Sequence, residues 1–211
     1  MLFVCQFDPA CISAWTIAFI VAIAAHEGNH AFVATALGDD TPRRAGRLTL
    51  NPLRHIDLTG LIIFVLAGFG WGVTPIDIRK LRPNPRLGSA IVAAAGPVAN
   101  LALVLLFVFA LRVSHDLPTL VVYFLLTAIT LNLILFVLNL IPLPPLDGFT
   151  LLVGVLPAPL ANALKQLERY GLGLIFLLLF VLQFFGVHIL SSVIDYFVTP
   201  IARLLGIPGL R

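Results

Sequence analysis

Charge is what this chain has least of. Only 11% of its 211 residues are charged, and only two are glutamate, Glu27 and Glu168, too few for the surface of a water-soluble globular domain. Cysteine is nearly absent as well. Cys5 and Cys11 stand near the N-terminus, away from every motif, with a spacing that matches no metal pair; a bond between them needs an oxidising compartment, and free thiols fit the sequence equally. No hydrophilic stretch is long enough for an appended soluble module, and neither an internal repeat nor a low-complexity tail is visible. The first residues lack the basic start and small-residue cleavage site of a signal peptide, so the first apolar segment is expected to be retained. The net charge of +3 and the pI of about 9.2 come from Arg and Lys in short loops between apolar runs. That is the positive-inside pattern rather than a face for nucleic acid, which is excluded as a partner.

What is present is hydrophobic. With 60% apolar residues and a mean hydropathy of +1.05, the chain reads as an all-α polytopic membrane protein in contact with the lipid bilayer. One domain is expected over residues 1–211, with a core at 11–156 and additional C-terminal helices at 157–211. A span needs roughly 20 apolar residues. Residues 11–37, 88–113 and 117–141 qualify, 171–187 is at the short limit, and 189–205 is broken by Asp195, Pro200 and Arg203, as either a span or an interfacial helix. The expected fold is therefore a bundle of about four to six transmembrane helices. Residues 59–71 are too short to cross and lie between two basic stretches, one with Arg43, Arg44, Arg47 and Arg54, the other with Arg79, Lys80, Arg82 and Arg86. If both stretches are cytoplasmic, the segment dips in and returns, a re-entrant path that Gly68, Gly70 and Gly72 suit. Asp8 is the only charged side chain before the first span, so the N-terminus is expected outside.

His26-Glu27-Gly28-Asn29-His30 lies inside the first apolar run, with no charge over residues 14–25 or 31–37. Positions i and i+4 of a helix lie one turn apart on one face, so His26 and His30 can offer imidazole nitrogens to one ion. Glu27 then reaches a water beside that ion, where a carboxylate can take a proton and later pass it to a leaving amine. That is the chemistry of peptide hydrolysis. A five-residue motif can arise by chance, on a polar helix face. Here, however, burying Glu27 uncompensated costs roughly 2 kcal/mol or more, which favours a metal site.

Two histidines leave a catalytic zinc one protein ligand short. The third span ends in Asn139-Leu140-Ile141-Pro142-Leu143-Pro144-Pro145-Leu146-Asp147-Gly148, where three prolines in four residues cannot remain helical. They break the backbone ahead of Asp147, and the parity of the spans puts its carboxylate in the leaflet of His26 and His30. Asp147 is the expected third ligand. An ordinary Asp-Gly turn is the plain alternative.

The two motifs together resemble the site-2 protease family of intramembrane zinc metalloproteases, over most of the chain from about Ser13 to Leu156. Gly96-Pro97-Val98-Ala99-Asn100 is similar to a Gly-Pro-x-x-Asn element of family members, and Phe69-Gly70-Trp71-Gly72 to the Gly-rich segment of compact prokaryotic forms. The resemblance implies one zinc ion per chain, a transmembrane protein or peptide as substrate, and a multi-pass protein of a prokaryotic cell membrane; with the N-terminus outside, His26 and His30 in the second half of the first span lie nearer the cytoplasm. It also implies that extended stretches, such as 47–51 and 73–78, pair with substrate unwound from its helix. An added strand exposes a peptide bond that a helix shields.

Asn100 is a candidate donor to a substrate carbonyl or oxyanion, or equally a hydrogen-bonding bridge between helices. Asn139 is expected to brace the proline-rich break. His55 could approach the site as a proton carrier or inhibitory ligand, although a loop histidine beside Arg54 and Asp57 is more often a surface hydrogen-bonder. His115 and His188 carry no such case. Family members usually place small or apolar residues where this chain has Gly28-Asn29; the polar amide needs a partner. Two rival functions stay open: a non-proteolytic zinc-binding membrane protein that holds clients, and a metal or proton transporter. Oligomeric state is not legible.

Overall fold

The computed structural model describes residues 5–49, 51–68, 70–114 and 116–207. Leu50, Phe69 and His115, which fall in stretches read above, lie outside the described residues.

Helix α1, Pro9–Ala36, begins where Asp8 accepts the N–H groups of Ala10 and Cys11 and Pro9 occupies the first turn, a position that needs no donor. Cys5 and Cys11 are joined in a disulfide at its start, both buried in an apolar cluster with Phe19, Ile23 and Phe64. After α1 the chain makes a single helical turn, Thr41–Arg44, and reaches α2, Leu58–Ala67, which Asp57 caps through the N–H of Gly60. At ten residues α2 is about 15 Å long, half a hydrocarbon core. Gly68 ends it with a φ of 80°, a left-handed turn that glycine adopts freely. The chain then comes back. Ile56 and Gly72 form an antiparallel bridge, and the N–H of Val73 donates to the His55 carbonyl at 3.1 Å, so both ends of the excursion lie side by side.

Helix α3, Pro85–Val113, is capped by Asn84 and is the centre of the molecule, packing against α1, against α4 (Thr119–Leu140) and against α5 (Asp147–Val155). These three elements, α1, α3 and α4, are long and apolar enough to cross a membrane. Residues 141–146 are not helical, as the three prolines require, and α5 starts at Asp147 itself. Arg86 holds the far end of α5 by donating to the carbonyls of Gly154 and Leu156, the pole of the helix where a cation is favourable. Helix α6 follows at Ala158–Lys165.

The two weaker apolar runs form shorter elements. Gly171–Phe176 continues into a π-helical stretch, Leu177–Val181, and ends with Leu182–Phe184. The last helix, α7, is Ile189–Leu204, 16 residues or about 24 Å. Its Ile194 packs with Leu138 and Ile175, its Val198 and Ala202 with Val104, Val108, Ile129 and Leu133, and Arg112 caps the carbonyl of Leu205. It lies along α4 and α3 rather than beyond them.

No strand forms among the described residues; the expected extended pairing is reduced to the Ile56–Gly72 bridge. Residues 73–77 are nonetheless neither helical nor paired in a ladder. Ile78 already belongs to a 3-10 turn, Ile78–Lys80.

Candidate metal centre

Helix periodicity puts His26 and His30 on the face of α1 that meets α3, and both are buried. Their ring orientations are fixed from behind. The Nδ1 of His26 lies 2.6 Å from the Asn100 Oδ1, and the Nδ1 of His30 lies 2.7 Å from the Val92 carbonyl oxygen. The amide of Asn100 is itself oriented, because its nitrogen donates to Asn132 Oδ1 at 2.9 Å while Asn132 donates to the Ala128 carbonyl. Facing two acceptors, both imidazoles carry their proton on Nδ1 and turn a bare Nε2 lone pair forward.

Those lone pairs converge on a third. His26 Nε2 is 3.1 Å and His30 Nε2 3.3 Å from Asp147 Oδ2, and the two Nε2 atoms are 3.1 Å apart. With the ring protons committed to Nδ1, three electron-rich atoms point at one another, and among the described residues the buried Asp147 Oδ2 has no hydrogen-bond donor. A cation shared by the three atoms satisfies such an arrangement. Two imidazoles and one carboxylate, with outer hydrogen bonds already set, are the donor set of a catalytic zinc site. Gly96 makes room for it: a Cβ there would lie 2.4 Å from His30 Nε2 and 2.5 Å from His26 Nε2.

The next residue, Pro97, removes a ladder donor from the middle of α3. On the same face of α3 the carbonyls of Val92 and Ala95 serve α1, Val92 receiving His30 and Ala95 the amide of Asn29 at 2.6 Å. The polar residue that departs from the usual motif thus has its partner. Gly28 beside it is buried and the ligand convergence is intact.

The site opens on a cavity of about 400 Å³. Glu27 lines it beside the two histidines and Asp147, and the walls are mostly apolar, from Ile23, Ile76, Val92, Leu138 and Ile175. Gly72 presses on Glu27, where a Cβ would lie 2.6 Å from its Cγ. Asn139 also lines the cavity, with its amide donated one turn back to the Leu135 carbonyl, a bond that steadies the end of α4.

Two expectations change. Asn100 does not line the cavity; it is fully buried, and its amide protons go to Asn132 and the Ala22 carbonyl, so it positions His26 rather than reaching a substrate oxyanion. His55 is not at the surface but completely buried, with Nε2 2.6 Å from the Thr49 carbonyl oxygen and Nδ1 without a partner among the described residues, and it lies outside the cavity lining. The folding of loop 47–57 over it, which no local pattern encodes, decides its burial.

Sequence reasoning missed Thr74, Ser89 and Thr150, whose hydroxyl-bearing side chains line the cavity. For two of them the signal was present: Ser89, Val92, Ala93 and Gly96 follow one face of α3, and Thr150 lies one turn beyond Asp147. Val73 is less free than its place in an extended stretch suggests, since its N–H goes to His55 and its carbonyl accepts Arg47 at 3.0 Å. At the outer rim, a hydrogen bond from Lys80 holds the Asp40 carboxyl below the usual range, and one from Arg79 does the same for Asp77.

Comparison with known proteins finds relatives that carry a zinc metalloprotease name. A Bacillus subtilis (strain 168) protein provisionally named zinc metalloprotease YwhC is 42% identical over 174 residues, which cover 78% of each chain. Two mycobacterial proteins carry the provisional name zinc metalloprotease Rip2. That of Mycolicibacterium smegmatis is 31% identical over 76% of this chain and 64% of its own, and that of Mycobacterium tuberculosis (H37Rv) 32% over 80% and 69%. No protein-family model matches the chain, and no solved structure does.

Proposed function

Because the chain belongs to the zinc metalloprotease family of YwhC and Rip2, we propose that it is an intramembrane peptidase of the site-2 protease type. It hydrolyses peptide bonds within or near transmembrane segments of other membrane proteins. The observation that carries this reading is the convergence of two imidazole nitrogens and a carboxylate oxygen, with Glu27 beside them, in an apolar cavity among helices of membrane-spanning length.

His26, His30 and Asp147 hold the metal. Zinc bound there supplies Lewis acidity, which polarises a peptide carbonyl and acidifies water. The chain does the rest. Asn100 and the Val92 carbonyl keep both imidazoles in the tautomer that leaves Nε2 free. Glu27 takes the proton of the attacking water and returns it to the leaving nitrogen, the two halves of general acid–base catalysis. The apolar walls limit the water around that carboxylate, which strengthens its field. A substrate helix must unwind first, because its own hydrogen bonds shield each peptide bond. Among the described residues the N–H groups of Thr74 and Ile76 have no partner, so the stretch around them is the edge on which an unwound segment docks as an added strand.

The path of the chain supports an N-terminus outside and a site nearer the cytoplasm of a prokaryotic cell membrane. The disulfide at the start of α1 fits an oxidising exterior, and the paired ends of the α2 excursion fit a path that leaves and returns on one side, with both basic stretches there. The non-proteolytic alternative rested on Gly28-Asn29; Asn29 has its partner in the Ala95 carbonyl, and the cleavage assay decides between the two readings. The test is incubation of the purified full chain with a panel of single-span peptides, with and without chelator. Chelator-sensitive cleavage is expected, with zinc retained through purification; a protein that releases zinc readily and cleaves none of the peptides would be a transporter instead.

A further inference from the structure

Asp39 has no part in the metal site and does not line the cavity, yet it is completely buried. Burying a carboxylate costs several kcal/mol unless hydrogen bonds and a countercharge compensate. Here Oδ1 accepts the N–H of Thr41 at 2.9 Å, Oδ2 accepts the N–H of Asp77 at 2.7 Å, and Lys80 Nζ stands 3.9 Å away. The first bond is local and would serve any turn after a helix. The second reaches across the sequence to the end of the non-helical stretch that lines the cavity through Thr74 and Ile76.

That stretch is tied at two places, once to α1 and once to the turn that follows it, where the Asp39 N–H donates back to the Ala34 carbonyl. At its start the Thr74 hydroxyl donates to the carbonyl of Glu27, 3.1 Å away, and at its end Asp39 takes the N–H of Asp77. The chain beyond is held to the same end of α1 by a bond from the Arg82 N–H to the Leu37 carbonyl, by Lys80 on Asp40, and by Leu81 packed on Ala34. Between the two ties lie the N–H groups of Thr74 and Ile76, which have no partner among the described residues. An edge that receives a strand in register with a reactive centre must be fixed relative to that centre. The centre sits on α1.

We infer that Asp39 is a positioning residue for substrate, whose carboxylate straps the docking edge around Thr74 and Ile76 to the helix that bears His26 and His30. The inference rests on the protease reading and adds to it a residue that determines how substrate is held, not how the bond is cut. Asn at this position keeps the shape but not the function: one of its two ends is an NH2 group, which cannot accept, so either Thr41 or Asp77 loses its acceptor.

The experiment compares the wild-type full chain with Asp39→Asn and Asp39→Ala in detergent, measuring zinc content, KM and kcat on one cleaved single-span peptide. Limited trypsin cutting after Arg79 and Lys80 is followed on the same preparations. Asp39→Asn should keep its zinc and a kcat within about twofold, raise KM about tenfold, and be cut faster at Arg79 and Lys80. Asp39→Ala should show the same pattern more strongly. Unchanged KM and trypsin cutting in Asp39→Asn, beside an active wild type, would overturn the inference alone. Loss of zinc in Asp39→Asn would also overturn it, by making Asp39 a support of the metal helix. Absence of cleavage by the wild type strikes the protease reading itself, and the trypsin rates still report whether the strap depends on Asp39.

Discussion

Asn100 shows what one residue adds to a metal site without touching the metal. Its carbonyl oxygen receives the Nδ1 proton of His26, and its amide is held by Asn132, so a chain of three side chains across three helices fixes one lone pair. Removing such an outer partner weakens metal affinity roughly 10–100-fold, and Asn100→Ala should do so while leaving the helices folded. Gly96→Ala is the harsher change. Its methyl group would enter the space between the two Nε2 atoms, and stoichiometric zinc should be lost with helical content preserved by circular dichroism. Full zinc occupancy in Gly96→Ala would mean that the metal does not sit between those atoms. At this scale the site was largely legible. The spacing of His26 and His30 encodes their common face, and the prolines before Asp147 encode its release from a helical path. The direction in which Asn100 turns was not legible, because it is set by Asn132, an amide in another apolar segment.

At the scale of elements, long apolar helices were readable from composition and the short ones were not. Helices α1, α3 and α4 begin and end within a few residues of the runs that hydropathy marks, since caps and prolines punctuate them. The stretch at 59–71 was readable as too short to cross, but its form was not: most of it is helix, and its return is fixed by contacts of Gly60 with Trp71 and of Gly70 with Phe19 and Phe64 that no local pattern reveals. The expected pairing stops at one bridge, because beyond the bond from the Val73 N–H to His55 the Val73 carbonyl goes to the Arg47 side chain and not to a neighbouring strand. The excursion of α2 makes a topological prediction. Single cysteines placed in loops 43–54 and 79–86, in a background without Cys5 and Cys11, should react with an impermeant reagent from the same side, and one placed at 112–116 from the other. Opposite labelling of the two basic loops would make α2 cross the bilayer and break the parity that brings Asp147 to the histidines.

In the whole molecule, α3 joins the parts. It supplies the space at Gly96, the orienting groups at Val92 and Asn100, and through Arg86 the grip on α5, whose first residue is Asp147. Metal binding and proton transfer are thus assigned to different residues on one scaffold. They are separable by measurement. Zinc content and cleavage of a single-span peptide, determined on the same preparations of wild type, Glu27→Gln and Asp147→Ala, test this division most directly. Glu27→Gln should retain zinc at the wild-type level with cleavage abolished, and Asp147→Ala should lose both together. Zinc lost from Glu27→Gln but kept by Asp147→Ala would contradict the account, since the roles of the two carboxylates would then be reversed.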